Sequence, residues 1–352
     1  MAAERFESLD GMRGAAAMMV VLLHIPMIAG QQVKPGTAYL AVDLFFLLSG
    51  VVIAHAYGPR LSGGLTPKDF LVARLVRLYP IYAIGLGLGL LAVAAQWLAT
   101  DAPPSILRLS LAVVTGLLFL PFPANGADGD VYTLNFPAWS LFFELAANLV
   151  LAVLWPRLSA GWLAAIIGVS AVCLIAMASI IGTMDGGTLG TNFWMGAPRV
   201  AFGFFAGVAL YRLRDRLPRI AAPAWLILAL VIAMLAYAPA APLTAAYELF
   251  VVLIAAPVLV MLAIHARADG PLRSLAAWAG AMSYAVYVIH APLRDIARLG
   301  MEKWSMQPSL WLGLAFVAVT MLLAAVVTTV LDPPLRVWLA RRARSWSERK
   351  SG

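Results

Sequence analysis

The first apolar run of the chain, LDGMRGAAAMMVVLLH (9–24), contains three residues that could do chemistry: Asp10, Arg13 and His24. An ionisable side chain at membrane depth is costly unless it faces protein or water, so it suggests a functional site. In a helix, eleven residues make three turns plus about 20°, which puts Arg13 and His24 on one face about 16 Å apart along the axis. This spacing predicts the wall of a passage with a base near one end. The alternative is a structural histidine that bonds a neighbouring backbone carbonyl.

The composition is that of a polytopic membrane protein. Among the 352 residues, hydrophobic residues make up 62% and charged residues only 12%, about half the usual share of a globular protein. Cys173 is the only cysteine, which leaves almost no material for intramolecular disulfides, a thiolate zinc cluster or a cysteine-based nucleophilic site. The net charge of +8 is attributed to membrane topology rather than to nucleic acid. We predict neither a metal site nor nucleic-acid binding.

Eleven segments are long and apolar enough to be helices at membrane depth, where a crossing needs about 20 residues. They are 9–29, 37–57, 79–98, 106–122, 137–155, 160–182, 195–212, 222–238, 246–265, 275–298 and 309–331. If all eleven cross, the basic stretches 212–219 and 336–350 fall outside, against the positive-inside rule. If 106–122 dips in and returns, both lie inside.

The predicted fold is therefore an all-α polytopic membrane protein. It has about ten transmembrane helices, a re-entrant segment near 106–122 and both termini in the cytoplasm. Residues 1–335 form the transmembrane domain and 336–352 a basic cytoplasmic tail. Irregular backbone at membrane depth survives only against protein or water, so 103–136 is expected to cap an external cavity.

Two arginines three residues apart, Arg74 and Arg77, follow Pro67 in the loop before the third span. Residues with this spacing are neighbours on a helix surface. One interpretation is a short interfacial helix that holds anionic lipid headgroups. The other is a phosphate clamp, since guanidinium groups bind phosphate oxygens in bidentate fashion. The spacing alone leaves both open.

With this topology, five costly side chains are predicted to share one layer towards the outside: His24, Asp43, Glu144, Arg199 and His290. In SYAVYVIH, Ser283, Tyr287 and His290 also share a helix face. An imidazole with a carboxylate on its other nitrogen is a general base for a hydroxyl. The same groups could form a proton relay in a transporter. The pair Ser49-Gly50 is expected to serve close helix packing.

Taken in order, these stretches resemble the acyltransferase 3 family of bacterial membrane O-acyltransferases. The stretches are LDGMRGAAAMMVVLLH, AVDLFFLLSGVVIAH, FLVARLVRLYP, FPAWSLFFE, RVAFGFFAGVAL, AMSYAVYVIHAPL and LDPPLRVW. The resemblance implies that an acyl group, usually acetyl, passes from cytoplasmic acyl-CoA to a hydroxyl at the outer side. The implied acceptor is a carbohydrate or lipid-linked glycan, reached among membrane lipids. The family's functional positions fall on Arg13, His24, Asp43, Arg74, Arg77 and Glu144.

The expected mechanism uses both the residues and the resemblance. Arg13, Arg74 and Arg77 bind the phosphates of acetyl-CoA or another acyl-CoA, and His24 deprotonates the acceptor hydroxyl. Asp43 or Glu144 orients the imidazole. Arg199 or Tyr287 supports the oxyanion, and His290 belongs to the same site. An acyl-enzyme on Ser49 or His24 stays open.

The rival function is that of a polytopic exporter of a glycan precursor with a proton-relay histidine. Such a transporter often has internal repeats, which the sequence lacks, and gives Arg74 and Arg77 no evident role.

Overall fold

The computed structural model describes residues 6–32, 35–100, 105–122, 126, 128–220 and 222–351, with side chains up to residue 343. These residues form helices, and their only β-type pairing is two isolated bridges, Phe122–Tyr132 and Asp130–Leu189. The α-helices are α1 Glu7–Leu23, α2 Pro26–Ala29, α3 Ala41–Ser62, α4 Pro67–Thr100, α5 Ile106–Leu117, α6 Ala138–Leu154, α7 Ala160–Ile181, α8 Gly196–Leu213, α9 Ala224–Ala236, α10 Thr244–Phe250, α11 Ala256–His265, α12 Gly270–Lys303, α13 Leu310–Val326 and α14 Asp332–Ser351. Short π-helical turns join α10 to α11 and α13 to α14.

All eleven apolar segments of the sequence contain a helix in the structure. Within the described residues, seven helical stretches are long and apolar enough to cross a membrane. They are Ala38–Ser62, Pro67–Thr100, Ala138–Arg157, Ala160–Ile181, Phe193–Leu213, Thr244–His265 and Leu310–Ala343. Helices α5 and α9 are shorter, and α1 carries three charged residues within its 17. The protein is an all-helical, multi-pass membrane protein; ten crossings and cytoplasmic termini stay predictions.

The two ends of the bundle differ in the residues they hold. Arg13, near the start of α1, lines one cavity together with Arg336 of α14, so both terminal helices lie at this end. We call it the arginine end. At the opposite end, the backbone N–H of Ser309 before α13 donates to the carbonyl of Ile28 in α2, just beyond His24. We call this the histidine end.

Helix α5 packs along α4. The last turn of α5 meets α4 near Tyr79 and Tyr82, whose hydroxyls donate to the carbonyls of Leu117 (3.2 Å) and Gly116 (2.7 Å). Nearer the histidine end, Leu134 packs against Gly89 of α4. Helix α5 has only 12 residues, and the re-entrant segment near 106–122 stays a prediction.

Close approach of backbones fixes the central helices. A Cβ at Gly50 of α3 would lie 2.0 Å from the carbonyl oxygen of Phe204 in α8, and one at Gly207 would lie 2.1 Å from that of Leu47. Small residues allow this contact in membrane helices. Asp43 and Arg199, which stand on α3 and α8, are thereby held at fixed separation. The predicted packing role of Gly50 agrees with this geometry.

A helix begins at Pro67 before the third span, as expected, but it is not the separate short helix of the interfacial interpretation. Residues 67–77 are the first turns of α4, which continues without a break through Pro80 to Thr100. Proline is tolerated in membrane helices, and α12 contacts α4 close to Pro80, where Tyr284 donates to the carbonyl of Leu78 at 2.9 Å. Arg74 is consequently buried, with 6% of its surface exposed.

Candidate active site

Four arginines converge on a cavity of about 150 Å³ at the arginine end, which we call the arginine cavity. They come from three helices: Arg13 from α1, Arg74 and Arg77 from α4, and Arg336 from α14. The floor towards the bundle centre is mostly apolar. It also contains polar side chains, namely Ser49, Ser140, Glu144, Ser283, Tyr284 and Tyr287.

Carboxylates balance three of these four guanidinium groups. The pairs are Arg13–Asp10 (3.3 Å), Arg74–Glu144 (3.1 Å) and Arg336–Asp332 (2.5 Å). Arg77 makes no ion pair with the residues that the structure describes, and Arg74 Nε is buried without a hydrogen-bond partner among them. The cavity therefore has a positive excess and unused N–H donors, which suit an anionic ligand such as a phosphate.

Glu144 lies in the arginine cavity, which corrects its predicted place beside His24. Its Oε1 accepts from Arg74 Nη2 at 3.1 Å and from Ser49 Oγ at 2.7 Å. The reason is the level of α6: Ser140 meets Tyr287 at the middle of the bundle, so Glu144, one turn further on, lies on the arginine side. Ser49, which was expected to serve helix packing, also donates its hydroxyl to Glu144.

A second cavity of about 420 Å³ lies at the histidine end, and we call it the histidine cavity. His24 and His290 line it, with ring centroids 5.2 Å apart. The other polar side chains in its wall are Tyr39, Asp130, Asp185, Thr188, Arg199, Tyr287 and Arg294. Burial raises the pKa of the Asp130 carboxyl above its usual value, and the nearby charge of Arg294 opposes that rise.

Backbone carbonyls fix both imidazoles. His24 Nδ1 lies 2.8 Å from the carbonyl oxygen of Val20, and His290 Nδ1 lies 2.8 Å from that of Tyr287 and 3.2 Å from that of Val286. Since a carbonyl oxygen only accepts, Nδ1 carries a proton in each ring, and Nε2 of the neutral imidazole is then an acceptor. The structural alternative for His24, a bond to a backbone carbonyl, is thus present, and it leaves Nε2 available to the cavity.

Asp43 is paired with Arg199 rather than with His24. Arg199 Nε donates to Oδ1 at 3.0 Å and Nη2 to Oδ2 at 2.6 Å, and both side chains are at most 3% exposed. The remaining Nη1 donates to the carbonyl of Gly186 at 2.5 Å. The expectation that Asp43 or Glu144 orients His24 is therefore wrong in this geometry, and Val20 has that role. Arg199 is equally committed, which weakens its predicted role at an oxyanion.

The two cavities share part of their lining. Val42 and Tyr287 line both. Ser283, Tyr287 and His290 lie along one face of α12, from the arginine cavity through the shared wall to the histidine cavity, as their spacing predicted. The Tyr287 hydroxyl bonds Ser140 Oγ at 2.7 Å. The two cavities are therefore adjacent at Val42 and Tyr287.

A basic cavity next to an imidazole cavity suits a group transfer. The comparison with known families identifies the kind of group. The family model described as an acyltransferase domain, Acyl_transf_3, matches residues 6–330. The chain belongs to the acyltransferase 3 family. The acyltransferase is also 43% identical over 185 residues to "Protein 2 in picA locus" of Rhizobium radiobacter, a match that covers 50% of this chain and 96% of that protein. No solved structure matches it. Membership favours acyl transfer over the exporter alternative.

Three residues of the acyltransferase's cavities escaped the sequence reasoning. Arg336 lines the arginine cavity, although the sequence had assigned it to the tail. Phe136 lies 5.0 Å from the His24 ring, centroid to centroid, and Arg294 lies 5.2 Å from the Phe136 ring. Arg336 and Phe136 stand inside the recognised stretches LDPPLRVW and FPAWSLFFE, so the motifs themselves were the available signal. Arg294 follows the stretch AMSYAVYVIHAPL directly.

Proposed function

We propose that this acyltransferase moves an acyl group, usually acetyl, from acyl-CoA in the arginine cavity to a hydroxyl of a carbohydrate or lipid-linked glycan in the histidine cavity. The observation that carries the proposal is the pair of cavities that meet at Val42 and Tyr287. One has unpaired guanidinium donors for phosphates, and the other has a neutral imidazole for a hydroxyl.

The donor fits the arginine cavity by charge and by reach. The nucleotide phosphates of acyl-CoA would take the donors of Arg77 and of Arg74 Nε, which the protein leaves without partners among the described residues. Arg13 and His24 stand eleven residues apart, about 16 Å along a helical path. The pantetheine arm would cover that distance along the apolar floor and bring its thioester to Tyr287.

His24 is the base in this scheme. Its Nε2 takes the proton of the acceptor hydroxyl while the oxygen attacks the thioester carbonyl carbon. The tetrahedral intermediate carries its negative charge on the former carbonyl oxygen, to which the Tyr287 hydroxyl can donate. The C–S bond then breaks, the acyl ester is released, and the CoA thiolate recovers the proton from His24. Val20 keeps the imidazole in the required tautomer throughout.

We further propose that the arginine end faces the cytoplasm of a bacterial inner membrane. The C-terminal helix there carries Arg336, Arg341 and Arg342, and clusters of Lys and Arg favour the cytoplasmic side. Acyl-CoA is a cytoplasmic metabolite, so this orientation delivers the donor to its binding site.

The test measures acyl release from [¹⁴C]acetyl-CoA by the protein purified in detergent. The protein carries Cys173→Ser, so that the thiol of the CoA product can be measured without a protein thiol in the background. His24→Ala should lower release by about 10²- to 10⁴-fold, the usual contribution of a general base. His265→Ala is the matched control, since that ring bonds the Arg214 carbonyl outside both cavities and should leave release unchanged. Near-normal turnover of folded His24→Ala protein would refute the base assignment.

A further inference from the structure

The wall of the histidine cavity presents several hydrogen-bond acceptors that lack donors. His290 is fully buried, and its Nε2 has no partner among the described residues. His24 presents a second Nε2, and Asp130 adds a carboxyl group. Buried polar atoms in proteins are nearly always paired, so an unpaired one at a cavity wall needs a ligand or water to explain it.

The guanidinium groups in the same wall are largely occupied by protein acceptors. Arg199 gives Nε and Nη2 to Asp43 and Nη1 to a carbonyl. Arg294 gives Nε and Nη2 to Asp295. A wall whose buried unpaired atom is an acceptor, and whose guanidinium groups are largely occupied, fits a ligand that supplies donors at this place.

The two imidazoles require two donors. A hydroxyl has one proton and can donate it to one acceptor, so the hydroxyl that His24 deprotonates cannot also satisfy His290. The ring centroids are 5.2 Å apart, so the second donor must stand close to the first on the same ligand. Two hydroxyls on adjacent carbons meet this requirement.

Resting on the proposed function, we infer that His290 is a specificity-determining residue that binds a second hydroxyl next to the one acylated. The acceptor then carries a vicinal diol at the site of transfer. An acceptor with a single hydroxyl would leave the His290 acceptor unpaired in a buried place. Such a loss corresponds to about 10- to 100-fold in kcat/KM.

The experiment compares small acceptors of nearly equal size in the purified protein with [¹⁴C]acetyl-CoA. The probes are cis-1,2-cyclohexanediol, its cis-2-methoxy ether, cyclohexanol and cis-2-aminocyclohexanol. The methoxy ether keeps the bulk and removes the second donor, and the amine tests an ammonium in place of the hydroxyl. The measured quantity is the kcat/KM ratio of each probe to cyclohexanol, which is independent of the fraction of active protein.

The diol should exceed the methoxy ether and cyclohexanol about 10- to 100-fold. In His290→Phe, which keeps a ring but no nitrogen, the ratio should fall to the statistical value for two equivalent hydroxyls, while His290→Gln should restore part of it. His265→Phe should keep the wild-type ratio. If either His290 variant fails to fold, the wild-type comparison of diol with ether still decides.

Equal wild-type rates for diol and ether would overturn the inference, as would no transfer to the diol, a full preference retained in His290→Phe, or a preference for the amine over the diol. These results differ from a failure of the proposed function. In that case the protein would release no CoA in a His24-dependent manner, to water or to any probe.

Discussion

The ion pair between Asp43 and Arg199 gives the sharpest energetic prediction. The guanidinium group is 1% exposed and the carboxylate 3%, and two hydrogen bonds of 3.0 and 2.6 Å join them. Asp43→Asn removes one charge and leaves the other buried, which typically destabilises a protein by about 3–5 kcal/mol. Arg199→Met should be similarly harmful, since it also removes the donor to the Gly186 carbonyl.

The double variant Asp43→Asn/Arg199→Met removes both charges, so it should be less destabilised than the sum of the single variants by about 2–4 kcal/mol. The assay is equilibrium unfolding in detergent followed by tryptophan fluorescence, for which the chain has 11 tryptophans. Asp215→Asn is the control. Its carboxylate is 71% exposed beside Arg214, and a surface pair contributes about 0–1 kcal/mol.

If the losses in the free energy of unfolding of the two single variants add up to that of the double variant, Asp43 and Arg199 are not an energetically coupled pair. A different result would also be decisive: if Asp43→Asn kept its stability and lost acyl release, the carboxylate would act on the chemistry, and the assignment of Val20 as the group that orients His24 would fall. The account expects loss of activity to follow loss of folded protein.

Two further predictions concern the donor site and helix packing. Arg336→Ala should raise the KM for acetyl-CoA about 10-fold or more, as expected for loss of a hydrogen bond to a charged group. The control Arg341→Ala on the same helix should have little effect on KM. Equal effects of the two substitutions would indicate that surface charge, and not a contact in the cavity, binds the donor. Gly50→Ala should lower the unfolding midpoint, because its Cβ would lie 2.0 Å from the Phe204 carbonyl oxygen and overpacking costs about 1–3 kcal/mol. Gly87→Ala, with no atom within 4 Å of its Cβ, should not lower it, and a similar loss in both would point to helix flexibility.

Much of the fold could be predicted because a membrane helix is recognisable from its own run of apolar residues. Each apolar segment of the sequence contains a helix, and the helix in 106–122 has only 12 residues. The face shared by Ser283, Tyr287 and His290 follows from helical period alone. The ionisable residues of the two cavities could also be recognised in the sequence. A charged side chain in an apolar run is costly, so it is kept there for function or for pairing with another charge.

Pairing and depth could not be predicted, because they depend on where one helix begins relative to another. Glu144 was placed beside His24 by counting from the end of its helix, yet the level of α6 against α12 puts it on Arg74. Asp43 had a more suitable partner in Arg199, 156 positions away, and Arg336 reaches the cavity only because α14 packs along α4. These are tertiary facts with no local signal.

The most direct test of the central claim is photolabelling with two acyl-CoA analogues, one reactive at the adenine and one at the acyl end. We expect the adenine probe to label peptides containing Arg74, Arg77 or Arg336, and the acyl probe to label those containing His24 or Tyr287. Excess acetyl-CoA should suppress both labels. Labelling of the arginine cavity by both ends, or of the histidine cavity by the adenine, would contradict a donor that spans the shared wall.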